Sequence, residues 1–196
     1  MDRNESFIKE GLKQVRSALM VAMGRDNVHL KPGTISRAAA ARLRSALSVL
    51  ETLVRRLILL IAVELDLAPS APARPGERKQ ASRTRGLRGF ILIPVYRYDG
   101  VALDRLRGNS RAASCGEVST APLLHRWCTL TALLNAPERA AHRMARMLQR
   151  SRRENLPPPL CLPQPRRHRL HPELGLIAGL LPARVNRALR DWFDSG

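Results

Sequence analysis

The chain has 196 residues, 44% of them hydrophobic but only 4% aromatic, and 34 Lys and Arg against 16 Asp and Glu give a net charge of +18. That length suits one domain or two small ones, and a core drawn from Leu, Ala, Val, Ile and Met argues against a β-sandwich and for helices. The three cysteines, Cys115, Cys128 and Cys161, are odd in number and far apart, which argues against a disulfide framework.

The first predicted element is a helix from about Asn4 to Met23, with Ile8, Leu12, Val15, Leu19 and Met23 at helical spacing. Asp2 or Asn4 can cap it, and "MGRDN" ends it. A Pro-Gly turn at Pro32-Gly33 leads to the strongest pattern in the chain, a helix from about Ser36 to Leu67. Leu43, Leu47, Leu50, Val54, Leu57, Ile61 and Leu65 form an alternating four-three seam. Val49, Leu59, Leu60 and Val63 add apolar surface off that seam, so one partner helix cannot cover it. The first helix folds back on one side. The other side needs a later segment, a second copy of the chain, an unknown protein partner or a membrane surface.

Ala68 to Gly86, "APSAPARPGERKQASRTRG", has almost no large apolar residue and reads as a basic flexible linker. "FILIPVYRYDG" at 90–100 is a short extended segment, because Pro94 excludes a central strand. "CGEVST" and its surroundings from Gly108 read as loop. A third helix covers Ala121–Asn135, with Leu123, Trp127, Leu130 and Leu134 on one face. Asn135 then caps a fourth helix, with Glu138 approximating a capping box. Ala141, Met144, Met147 and Leu148 lie opposite its charged face. "LPPPLCLPQP" ends that helix, and a last short helix is expected from about Pro182 to Phe193.

The expected fold is mainly α: two helical hairpins joined by a basic flexible linker, with a Pro-rich C-terminal tail. The divisions are an N-terminal hairpin at 1–67, the linker at 68–89, the extended segment and second hairpin at 90–155, and the tail with its short helix at 156–196.

Charge is uneven along the chain. Residues 1–67 hold 11 basic and 7 acidic side chains, residues 68–111 hold 10 and 3, and residues 112–196 hold 13 and 6. Only Lys9, Lys13, Lys31 and Lys79 are lysine; the rest is Arg, which a GC-rich coding sequence favours over Lys. Codon bias does not explain basic over acidic. In the fourth helix Arg139, Arg143, Arg146, Arg150 and Arg153 fall at steps of four, three, four and three, on one face. These five are candidate phosphate-contacting residues, with Arg83, Arg85 and Arg88 of the linker as a second basic arm. The plainer reading is a solvated face in an Arg-rich chain. Tyr96, Arg97 and Tyr98 interleave aromatic and basic residues in the manner of a base-stacking platform, but one triplet is a weak pattern.

Cys115, His125 and Cys128 are the nearest approach to a metal set, and their spacing lacks the tight pairs of structural zinc. His168 and His171 read as surface residues. Nucleophile-elbow, Walker, dinucleotide and H-E-x-x-H patterns are absent from the sequence, and no carboxylate pair stands out. The expectation is a non-enzyme without cofactor or metal. The longest apolar run, Leu57–Val63, falls short of the roughly 20 residues a spanning helix needs. Peripheral contact through "RRLILLIAVELDL" stays open, opposed by Glu64 and Asp66. With no secretory leader pattern, a cytoplasmic location is expected.

Two functions fit. One is a small non-enzymatic helical interaction protein, adaptor or structural, whose second helix binds a partner or a second copy. The other is an accessory protein that binds nucleic acid without sequence preference, contacting phosphates through arginines.

Overall fold

The structure, a computed structural model, describes residues 2–65, 116–163 and 170–195. It is mainly helical: α1 (Asp2–Arg25), α2 (Arg37–Glu64), α3 (Ala121–Asn135), α4 (Pro137–Arg153) and α5 (Pro172–Asp194), with short strands β1 (Thr34–Ser36) and β2 (Glu117–Ser119). The linker, the 90–100 segment, Arg83, Arg85, Arg88, the Tyr96–Tyr98 triplet, Cys115 and His168 lie outside the described residues.

α2 is the axis of the fold. Ser36 caps its start, its hydroxyl accepting a hydrogen bond from the Ala39 N–H at 3.2 Å. Ala39, Leu43, Leu47, Leu50, Leu53, Val54, Leu57, Ile58 and Leu60 are all buried, on several sides of the helix. The chain's own helices do the covering: α1, α3, α4 and α5 all pack on α2. A helix that is apolar nearly all round is stable only when its neighbours surround it, and one hydrophobic cluster accordingly joins residues of all five helices.

α1 packs back along α2 through Ile8, Val15, Leu19 and Met23. Gly11 makes the crossing close. A Cβ at this position would stand 2.8 Å from Cδ2 of Leu57, which is fully buried. Beyond α1 the chain turns through Asn27 and Lys31, both with left-handed backbone (φ 52° and 56°), around a 3-10 turn that buries Val28. Asp26 holds this turn to α2 by an ion pair with Arg42 at 2.7 Å.

"CGEVST" was expected to be loop. Instead Glu117–Ser119 pairs antiparallel with Thr34–Ser36, in the register Thr34 to Ser119, Ile35 to Val118 and Ser36 to Glu117. Three-residue strands leave almost no periodicity to read, and the partner lies some eighty residues away. The Thr120 N–H donates to the Gly33 carbonyl at 3.2 Å and its buried hydroxyl donates to the Pro32 carbonyl. The Arg37 N–H donates to the Gly116 carbonyl at 3.1 Å. These bonds start α2 and α3 side by side.

α3 and α4 are joined by one non-helical residue, Ala136. They pack on α2 far more than on each other, so the expected second hairpin is a bent pair laid on the central helix. Asn135 does not cap α4. It is the last residue of α3, and Ala136 takes the cap position without a side-chain bond, followed by Pro137 at the first helical position. Arg16 of α1 reaches this corner, donating to the Leu134 carbonyl at 3.0 Å.

The last helix is twice the expected length. It begins at Pro172, ten residues before Pro182, and carries Pro182 in its interior. Proline there removes a backbone donor and costs about 3 kcal/mol. The apolar stripe Leu174, Ile177, Ala178, Leu181, Val185 and Leu189 is buried along the whole length, and this packing outweighs the break. The Asn186 side chain of α5 pairs with both backbone groups of Cys161, which precedes the helix, at 2.8 and 3.0 Å. Arg56 donates to the Leu162 carbonyl. Cys161 therefore faces inward while Leu160 and Leu162 are exposed.

Candidate anion-binding face

The face is built by α4. Its inner side buries Pro137, Ala140, Ala141, Met144, Ala145 and Leu148, three of them alanines, so the helix lies close on α2. At 100° per residue this fixes the opposite side outward. Arg139, Arg143, Arg146, Arg150 and Arg153 are all exposed there, as their spacing implies. Met147 departs from the expected inner face. It is 42% exposed at the border of the arginine side, because the helix turns it about 60° from Met144 and about 100° from Leu148.

Arg139, Arg143, Arg146 and Arg150 have no carboxylate within ion-pair distance among the described residues. Their mutual repulsion costs the helix about 0.2–0.5 kcal/mol per i,i+4 pair. Two features offset it locally. Glu138 stands in the first turn, and Arg150, Arg152 and Arg153 stand in the last, each of the sign that suits its end of the helix. From Arg139 to Arg153 the row is about 21 Å long. Duplex nucleic acid carries one negative charge per about 1.7 Å of axis, so a duplex segment of that length carries about 12 phosphate charges.

Arg152 is a sixth arginine, and it serves the fold. It turns away from the row and stacks on the Trp192 ring of α5, 5.0 Å from the centroid. A like contact ties α5 to α1, where Arg184 stacks on Phe7 at 4.2 Å and donates to the Asn4 side chain. The offset of Arg152 from the four-three row marks it as different in the sequence. Its ring partner, forty residues on, leaves no local sign.

The predicted seam is used inside the molecule. Leu43, Leu47, Leu50, Val54 and Leu57 are buried beneath α1, α3, α4 and α5, and are not an open surface for a partner. Ile61 and Leu65 are half-buried. His125 and Cys128 are exposed on α3, and His171 is exposed at the start of α5. Among the described residues no three His, Cys, Asp or Glu side chains gather as a metal-binding group, and no helix is long and apolar enough to cross a membrane. No family model, curated protein or solved structure matches this chain.

Proposed function

We propose that this protein binds nucleic acid without sequence preference, through phosphate contacts along the arginine row of α4, and has no catalytic role of its own. The observation that carries this is the set Arg139, Arg143, Arg146 and Arg150: exposed, on one face of a firmly packed helix, and without carboxylate partners among the described residues. Guanidinium groups at such spacing suit a regular polyanion, because each phosphate contact releases condensed counterions. Arg83, Arg85 and Arg88 supply further positive charge to the same partner. The activity belongs to a compartment holding nucleic acid, and we place it in the cytoplasm.

The other reading, a helical interaction protein that docks a partner on α2, has less to support it, because α1, α3, α4 and α5 all pack on that helix.

The test is binding of nuclease-treated protein to labelled DNA and RNA duplexes across a salt series. Five phosphate contacts on duplex DNA give a slope of log affinity against log salt near about −4.5. Replacing two of them, Arg143→Glu with Arg150→Glu, lowers the steepness by about 1.8 or more. Both positions are exposed, so helix content by circular dichroism should not change. Absence of binding at low salt, or an unaltered slope in the double variant, refutes the proposal.

A further inference from the structure

A trough of about 590 Å3 runs along α1 between that helix, α2 and the start of α5. Small side chains make it: Ala18 and Ala22 on α1 and Ala46 on α2 leave space that larger residues would fill. Leu43, Leu50 and Leu174 close the floor, and all three are buried. Val21 stands on the lip, 69% exposed. The trough extends from Lys13 to Arg25, twelve residues of helix, or about 18 Å. Apolar surface predominates in its lining, with charged side chains gathered toward the two ends, and a concave site of this size is the form of a small-molecule pocket.

The two ends differ in charge. At one end Lys13 is close to Glu10, and the neutral Gln14 side chain donates to the Glu173 carboxylate, so acid outnumbers base there. At the other end Arg25 and Arg42 face a single acid, Asp26, which is paired with Arg42. Arg25 has no ion-pair partner among the described residues. The trough is therefore apolar along its length and cationic at one end.

We infer that this trough binds a straight-chain aliphatic carboxylate, with the chain along Ala18, Ala22 and Ala46 and the carboxylate at Arg25. The site is separate from the arginine row, since α4 contributes nothing to the trough. Chain burial supplies most of the affinity, and Arg25, being exposed, contributes about two- to fivefold.

Calorimetric titration of the full-length protein with octanoate, decanoate and dodecanoate, each below its micelle-forming concentration, tests this. Affinity should be saturable and climb about fourfold per added methylene. Dodecanol should bind about two- to fivefold more weakly than dodecanoate. Ala46→Trp fills the trough and should abolish binding. Val21→Glu places a like charge at the lip of an exposed position, where folding is not at risk, and should weaken carboxylate binding. The Arg143→Glu, Arg150→Glu protein should bind dodecanoate as the parent does, so failure of the phosphate reading would leave this result intact. No saturable binding, no dependence on chain length, equal binding of alcohol and carboxylate, or unchanged affinity in Val21→Glu each overturns the inference.

Discussion

Glu51 fastens α2 to α3. The Arg126 Nε donates to its Oε1 at 2.8 Å and Nη2 donates to Oε2 at 3.0 Å, while Arg55 lies 3.6 Å from the same carboxylate. The pair is mostly shielded from solvent, with the Glu51 side chain 14% exposed. Removing the bidentate partner leaves this shielded carboxylate with only the longer Arg55 contact, so Arg126→Met should destabilise the fold by about 1–2 kcal/mol in urea unfolding. Cysteine chemistry separates at the same scale. Burial raises the Cys161 thiol above its ordinary value, with Arg56 opposing, whereas Cys128 is exposed. Near neutral pH, iodoacetamide followed by mass spectrometry should find Cys128 alkylated well before Cys161. A raised folded value means that the folded state holds this proton more tightly. The stability it contributes is present below the unfolded thiol's pKa and is lost as pH rises through the folded one.

Among the elements, α1 to α4 were legible and α5 was only half so. Helical spacing of Leu and Val marks a buried stripe, and the same spacing of Arg marks its solvent side, so both the α2 core and the α4 row could be read before any coordinates. Pro182 and the two glycines ahead of it hid the first half of α5, because local propensity and tertiary packing disagree there. The strand pair and the stacked Arg152 were illegible for another reason, since each depends on a partner distant in the chain. Gly11 offered a sign that periodicity alone passes over: a glycine inside a strong helical pattern implies a close neighbour. Gly11→Leu should drive a side chain into Leu57 and cost about 1–3 kcal/mol, read as a fall in thermal midpoint. Ser36→Ala removes the cap of α2 and should cost about 1 kcal/mol by denaturant titration, leaving the folded spectrum unchanged.

For the whole molecule, the significant fact is how the apolar surface of α2 is divided. Covering it takes α1 from before the central helix and α3, α4 and α5 from after it, so neither part of the chain can complete the core alone. A protein of net charge +18 repels its own copies. On the proposed function, rising salt should loosen nucleic acid from the arginine row while leaving the buried core undisturbed.

The β1–β2 ladder joins chain on either side of a fifty-residue stretch, and α1 with α2 supplies one wall of a core whose other wall comes from 116–196. The described parts on either side of that stretch meet directly, through the ladder and the shared core. Fragments 1–65 and 116–196, co-expressed with a tag on only one, should be recovered as a one-to-one pair. The same experiment with Leu47→Asp in the first fragment should lose the second. Recovery of the pair would mean that two pieces, each unfinished alone, can finish one another.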